Sequence, residues 1–172
     1  MAGHSKWAQI KHKKAAADLK RGRVFGKILN AISLTARESP DPKTNQRLRR
    51  LIEKAKENQI PQENIQQALR RTKDKNLQTI KIEAYGPGGA ALIIEAVTDN
   101  SNRTINEIKH LLTQHQTKIA EPGSVQWLFT GNQPKFFQKI NEADRRRLKI
   151  LVEELTNHQD VQRILSNSAG GI

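Results

Sequence analysis

The segment IKIEAYGPGGAALIIEAV, residues 80–97, decides the fold class of this chain. Its first half alternates apolar and polar side chains, which is the pattern of a half-exposed strand. Gly86-Pro87-Gly88-Gly89 then indicates a turn, and the nearly continuous apolar run Ala90–Val97 is typical of a central strand. The tetrapeptide lacks the Lys-Ser/Thr of a phosphate-binding loop, so a hairpin between two strands is predicted.

Three helices are predicted before this hairpin. Apolar residues at helical spacing indicate a helix over about Asp18–Arg37, which Pro40 and Pro42 end. Its apolar stripe consists of Leu19, Val24, Phe25, Ile28, Leu29 and Ile32. Further helices are predicted over Lys43–Glu57 and Pro61–Arg71, the second starting at a proline that suits the first helical position. A DNA-reading helix-turn-helix is the alternative for this region, and it is disfavoured because its turn holds Pro where Gly is usual.

The chain after the hairpin alternates between helical and strand patterns. A loop rich in capping residues, Thr98–Thr104, leads into a helix, and Asn141 caps a second one. Strands are predicted over Val125–Phe129, Pro134–Ile140 and Asp160–Leu165. The order ββαββαβ predicts a ferredoxin-like α/β sandwich with one extra strand.

The whole chain is therefore predicted to be an α+β protein, a three-helix domain followed by that sandwich. The predicted domains are residues 1–75 for a basic arm with the helical domain, 79–167 for the ferredoxin-like domain, and 168–172 for a tail. A polar linker, Thr72–Gln78, separates the first two.

Positive charge is concentrated in the first half of the chain. The formal net charge is +13, and residues 1–75 hold 19 basic and 7 acidic side chains, against 11 and 10 in residues 76–172. This asymmetry predicts a polyanion-binding surface joined to a nearly neutral module. The absence of cysteine excludes disulfides and thiolate sites, and no apolar run is long enough for a membrane span or a secretory signal.

The first 27 residues carry the strongest functional pattern. They hold eight Lys and Arg against the single acid Asp18, with Trp7 inside the basic run. Cations interleaved with a flat ring suit a phosphate backbone with accessible bases, and the alternative is a plain solvated basic tail. The predicted contacts are Lys6, Trp7, Lys11, Lys13, Lys14, Lys20, Arg21, Arg23 and Lys27.

Several motifs resemble those of the YebC/PmpR family, which also contains the mitochondrial translational activator of cytochrome c oxidase. In order they are Gly3-His4-Ser5-Lys6-Trp7, Ile10-Lys11-His12-Lys13-Lys14, Lys20-Arg21-Gly22-Arg23, Tyr85–Gly89, Thr98–Thr104 and Gly123–Phe129. The resemblance adds Ser5 and His12 to the nucleic-acid-binding residues. Family members usually carry a third domain inserted after the strand corresponding to Val125–Phe129. Here Thr130-Gly131-Asn132-Gln133 leads almost directly to the next strand, so the chain is identified as a short member without that domain.

The resemblance implies a non-enzymatic regulator of gene expression in one of two modes. In the first, the protein binds ribosomal RNA and helps translation past stalling sequences; in the second, it binds promoter DNA and regulates transcription. The first is preferred because the basic arm looks flexible, which suits folded RNA, whereas DNA regulators use a rigid reading helix and symmetric half-sites. A monomer is expected because the sequence has no dimerising helix, and a cytoplasmic location is expected because it has no membrane span or secretory signal. No small-molecule substrate is expected.

A metal site or a catalytic centre is not predicted. The five histidines show no ligand spacing, and His110 and His115 do not share a helical face. Glu95, Asp99 and Glu121 could support acid–base chemistry only if the fold gathered them. No cofactor is expected.

Arg103 is the one predicted nucleic-acid contact outside the arm. If the strands Ala90–Val97 and Val125–Phe129 were neighbours, the loop Asp99–Arg103 and the turn Gly123-Ser124 would form one polar rim beside bound RNA. The alternative is that this loop only caps a helix, in which case loss of Arg103 would have almost no effect.

Overall fold

The computed structural model describes the backbone of residues 3–71 and 77–169, with all of their side chains except those of residues 3–10, 12, 13 and 16. Contacts divide the chain into two compact units, Met1–Thr72 and Lys73–Ile172. Helices occupy the first, and an α/β sandwich the second, so the predicted fold class is confirmed. Within the described ranges, no helix is long and apolar enough to cross a membrane.

The first unit is built from three helices, α1 (Gly3–Glu38), α2 (Gln46–Glu57) and α3 (Gln62–Arg70). Its buried core consists of Ile28, Ile32, Ala36, Leu48, Ala55, Ile60, Ile65 and Ala68. The buried Ser33 hydroxyl donates to the Ala68 carbonyl at 2.8 Å, which ties α1 to α3. Every helix thus contributes one apolar face to a single small core.

Helix α1 begins at Gly3, far before the predicted start at Asp18, so the prediction of a flexible-looking arm is wrong. The residues before Asp18 are mostly Ala, Lys and Gln, which are strong helix formers, and they include no Pro. The predicted apolar stripe is also too long, because Leu19 is 63% exposed and the packed residues begin at Val24.

Helix α2 begins at Gln46 rather than Lys43 because Asn45 caps it. The Asn45 side-chain oxygen accepts the Leu48 N–H at 3.0 Å. Its amide group donates to the Ser39 carbonyl at 2.9 Å, just beyond the end of α1. One side chain therefore fixes both the start of α2 and the path of the chain between the two helices.

The second unit contains a four-stranded antiparallel sheet in the order β3-β1-β2-β6. These strands are β1 (Gln78–Tyr85), β2 (Ala91–Thr98), β3 (Lys118–Ile119) and β6 (Val161–Ser166). The predicted hairpin forms, with Gln78 opposite Thr98 and Tyr85 opposite Ala91. At its turn, Gly88 has φ 66°, and a Cβ there would lie 2.7 Å from Ile140 Cγ2, so only glycine fits.

Two helices, α4 (Ser101–Gln114) and α5 (Glu142–Asn157), cover one face of this sheet. Alternate strand residues on that face, among them Ile82, Ala84 and Ile94, join them in the larger core. The opposite face buries a smaller cluster of Ala91, Ile93, Val125 and Phe129. Both faces of the hairpin are therefore covered.

The predicted strand Val125–Phe129 is wrong in most of its length. Gln126–Leu128 forms a 3₁₀ turn, and only Phe129–Thr130 (β4) pairs, with Gln133–Pro134 (β5). The cause is Glu83, whose carboxylate accepts the N–H groups of residues 123, 125 and 126 at 2.6–3.0 Å. These donors are therefore engaged by a side chain instead of by a neighbouring strand.

The predicted strand Pro134–Ile140 is likewise reduced to its first residue. Beyond it, Gln138 forms one isolated parallel bridge with Ser168. Gln138 N–H donates to the Asn167 carbonyl at 2.7 Å, and Ala169 N–H donates to the Gln138 carbonyl at 2.9 Å. Residues 168 and 169, predicted to start the tail, are thus attached to the sandwich, while residues 170–172 lie outside the described part.

Candidate nucleic-acid interface

The described cations of α1 before the core are exposed. They are Lys11, Lys14, Lys20, Arg21 and Arg23. The side chains of the predicted contacts Ser5, Lys6, Trp7, His12 and Lys13 lie outside the described residues. Lys27 is half-buried, and desolvation lowers its pKa below the ordinary lysine value.

A single helix brings these cations into a regular arrangement. Residues 6, 13, 20 and 27 are all lysines spaced by seven, which is nearly two helical turns, so their backbone positions follow one side of α1 about 10.5 Å apart. Lys11 and Lys20 are separated by about two and a half turns and therefore lie on opposite sides. The seven-residue spacing of these lysines is visible in the sequence. It places them on one side only because the segment is helical.

Arg21 is held in place by two contacts within the first unit. Its guanidinium donates to Gln59 Oε1 at 3.1 Å and lies 5.3 Å from the centre of the Phe25 ring. Gln59 itself has φ 57° in the turn between α2 and α3. These contacts orient Arg21 on the surface and leave it exposed.

Helix α2 adds exposed cations that were not among the predicted contacts. They are Arg47, Arg50, Lys54 and Lys56. Arg49 differs from them, because it donates to the carbonyls of Pro42 and Lys43 at 3.1 and 2.8 Å and so stabilises the preceding turn. The basic surface of the first unit is therefore larger than α1 alone.

The guanidinium of Arg103 is bound by carboxylates inside the second unit. It contacts Asp160 at 2.8 Å, Glu107 at 2.9 Å and Asp99 at 3.6 Å. Partial burial lowers its pKa, but the carboxylates, Asp160 above all, outweigh that effect and raise the pKa above the ordinary value. Arg103 thus joins the start of α4 to the residue before β6, and its role as a nucleic-acid contact stays a prediction.

The cap of α4 is Asn100, whose side chain accepts the Arg103 N–H at 3.0 Å. Capping is therefore part of the role of this loop, and the ion pairs of Arg103 are additional to it.

The predicted polar rim does not form. The loop containing Arg103 follows Thr98, which pairs with Gln78 at the start of β1. Ser124 instead accepts a hydrogen bond from the Tyr85 hydroxyl at 3.0 Å, at the end of β1. The two loops consequently lie at opposite ends of the hairpin.

Glu107, His158 and Asp160 form a cluster whose ligand-type atoms lie within 4.8 Å of one another. His158 Nδ1 accepts the Asp160 N–H at 3.2 Å, which leaves Nε2 to donate to Glu107 at 2.9 Å. Asp160 also accepts the Thr104 hydroxyl at 2.6 Å, beside Arg103. Since these atoms already bind one another and the guanidinium, the arrangement is best described as an ion-pair network, not as a cation site.

The three carboxylates considered for acid–base chemistry are not gathered. Glu95 lies within β2, where Arg163 donates to it at 2.6 Å. Asp99 pairs with Arg103 beyond the end of that strand. Glu121 follows Ala120, whose N–H donates to the Glu83 carbonyl near the other end of the hairpin.

Comparison with known proteins identifies two matching family profiles. Residues 5–75 match the TACO1/YebC protein N-terminal domain, and residues 77–133 match the TACO1/YebC second and third domain. The second match ends at Gln133, close to the point at which the sequence predicts that the third domain of the family is absent.

Curated relatives cover most of the chain. A probable transcriptional regulatory protein of Thermoanaerobacter pseudethanolicus is 44% identical over 88% of this chain and 63% of its own length. One from Solibacter usitatus is 40% identical over 98% of this chain and 71% of its own length. The chain spans 63% and 54% of the first two relatives, and so only part of their length. The crystal structure of a conserved hypothetical protein from Aquifex aeolicus matches with a TM-score of 0.79 and 26% identity, over 95% of this chain and 96% of that one.

Proposed function

Because the chain belongs to the TACO1/YebC family, we propose that it is a non-enzymatic regulator of gene expression that binds nucleic acid through α1. The observation that carries the proposal is the exposure of cations on opposite sides of this one helix, as at Lys11 and Lys20. Cations that displace condensed counterions supply affinity for any phosphate backbone. The predicted domain 1–75 is the proposed binding module.

We propose ribosomal RNA as the physiological ligand, with assistance to translation past stalling sequences as the outcome. Flexibility of the arm does not support this choice, because α1 is a continuous helix. The supporting reason is instead the distribution of its charge. A DNA-reading helix presents one side to the groove, whereas phosphates of folded RNA can approach a helix from several sides.

The chemistry of the cations supports the same preference. Three of the five exposed cations of α1 described above are lysines, and lysine contacts phosphate as a point charge without reading base edges. Arg21, which could read a guanine, already bonds Gln59. Such a surface suits recognition by shape more than by sequence.

Transcriptional regulation through DNA is the second candidate function. Two features favour it, namely the names of the curated relatives and the continuous helical form of α1. A promoter-specific regulator would need base contacts in addition to the phosphate contacts described above.

The deciding experiment cross-links the full-length protein in cell lysate and identifies the recovered nucleic acid. Recovery of ribosomal RNA supports the proposal, and recovery of promoter DNA supports the second candidate. The variant Lys11→Ala/Lys14→Ala should lower the yield, and the logarithmic salt slope of binding should fall by roughly 0.7–0.9 for each phosphate contact that the variant removes.

The matched control is Lys109→Ala/Lys118→Ala, which removes the same charge from two exposed lysines of the second unit. If both double variants lowered the yield equally, net charge alone would explain binding and the assignment to α1 would be refuted.

A further inference from the structure

Three aromatic side chains of the second unit face water, although large rings are ordinarily buried. Trp127, Phe136 and Phe137 keep 59%, 62% and 65% of their surface exposed. They lie on the two sides of the β4–β5 hairpin, where Phe129 pairs with Pro134 and the Lys135 N–H donates to the Leu128 carbonyl at 2.8 Å. Residue 127 therefore precedes the first strand of this hairpin, and residues 136 and 137 follow the second.

The backbone that carries these rings is anchored. Phe136 and Phe137 lie between the Lys135 contact with Leu128 and the two hydrogen bonds that join Gln138 to Asn167 and Ala169. Trp127 is held through its indole N–H, which donates to the Ser124 carbonyl at 2.8 Å. Rings presented on a fixed backbone lose less conformational entropy when a ligand binds them.

In the sequence, positive charge is concentrated in the segment that begins beside Phe136 and Phe137. Residues 135–149 contain six basic and two acidic side chains, and no acidic residue lies between Glu121 and Glu142. The rest of residues 76–172 holds five basic and eight acidic side chains, so the cationic segment stands out in a module that is nearly neutral as a whole. Its cations are Lys135, Lys139, Arg145, Arg146, Arg147 and Lys149, all exposed.

We propose that Trp127, Phe136 and Phe137 form a base-stacking platform for single-stranded RNA, with Lys135 and Lys139 contacting its phosphates. Flat exposed rings beside cations suit unpaired bases, because bases inside a duplex are already stacked on one another. The charge selects a polyanion and disfavours a neutral apolar partner. This inference deepens the proposed function by adding a second contact in the other unit, and it rests on that function for the choice of RNA.

The test measures binding of a fluorescein-labelled oligouridylate to the full chain by fluorescence anisotropy. The variant Phe136→Ala/Phe137→Ala should weaken binding by about 5- to 150-fold for each base that no longer stacks. The logarithmic salt slope should stay unchanged, because aromatic rings release no counterions. In contrast, Lys135→Ala/Lys139→Ala should lower that slope by about 0.7 for each phosphate contact that is removed.

The control variant Ile105→Ala/Ile119→Ala removes two exposed apolar side chains elsewhere in the same unit and should bind like the unaltered protein. The platform variant should bind a blunt RNA duplex with unchanged affinity, since no unpaired base is present there. Its melting temperature should also remain the same, because the rings are exposed.

Unchanged oligouridylate affinity of the platform variant would overturn the inference, and so would an equal loss of duplex binding. A loss of affinity for polyglutamate as large as that for oligouridylate would instead assign the surface to an acidic protein partner. These results are distinguishable from failure of the proposed function, which depends on cross-linking through Lys11 and Lys14 and not on the aromatic rings.

Discussion

Replacing Arg103 by alanine should destabilise the second unit by about 1.5–4 kcal/mol. The contact with Asp160 is a charge-assisted hydrogen bond, a class worth about 1.5–3 kcal/mol. The exposed pair with Glu107 adds about 0–1 kcal/mol. Asp160 is only 6% exposed, so water cannot fully replace the missing guanidinium.

Urea unfolding followed by circular dichroism measures this change as a lower midpoint at an unchanged denaturant slope. Arg146→Ala is the matched control, because this arginine is exposed on α5 and its loss should change stability by less than about 0.5 kcal/mol. Arg103→Lys should lie between the two, since one ammonium cannot span both carboxylates as the guanidinium fork does. A midpoint for Arg103→Ala equal to that of the unaltered protein would refute the reasoning.

A further variant, Asp160→Asn, tests the predicted RNA contact of Arg103 when it is compared with Arg103→Ala. Asp160→Asn weakens the ion-pair network but keeps the cation, whereas Arg103→Ala removes both. If Arg103 contacts ribosomal RNA, binding should fall for Arg103→Ala and persist for Asp160→Asn at a temperature where both are folded. Equal binding by the two variants would leave Arg103 with a purely structural role.

Three further outcomes are expected. Glu83→Ala should release the segment containing Val125 from its hydrogen bonds to β1. Amide hydrogen exchange at residues 123–126 should then increase. Protection equal to that of the unaltered protein would contradict this role of Glu83. Trp7→Ala should weaken RNA binding by about 1–3 kcal/mol without altering thermal stability if its ring stacks on a base, whereas a fall in melting temperature with intact binding would indicate a packing role. Gly88→Ala should lower the melting temperature more than Gly123→Ala, because both have positive φ but only the first would clash, with Ile140; equal losses would show that the clash is relieved.

The hairpin was predictable from sequence because its determinants are local. Residues 80–97 contain the alternating pattern of the first strand, the turn glycines and the continuous apolar run of the second strand. The observed register follows from these features. The start of α1 was not predictable, because the pattern that would have marked it is absent. Its N-terminal part has no apolar periodicity, since packing begins only at Val24, and helix propensity was the sole remaining signal.

Errors elsewhere arose from partners that are distant in sequence. Val125–Phe129 has a strand-like composition, but a carboxylate 42 residues before Val125 takes its backbone donors and turns the segment into a 3₁₀ turn. Arg103 likewise binds Asp160 across 57 residues, which no local pattern could indicate. Nucleic-acid contact by the cations of α1 stays a prediction, and their arrangement around the helix required the structure.

The β4–β5 hairpin has a consequence for how the chain can be modified. Its turn contains only Gly131 and Asn132, between paired Thr130 and Gln133, and neither strand belongs to the four-stranded sheet. A foreign domain grafted at this turn would find its two attachment points already adjacent, and loop-closure entropy grows only slowly with the length of the graft. The turn is therefore a suitable insertion site for a reporter domain. A fluorescent protein inserted there should leave the sheet and both covering helices intact.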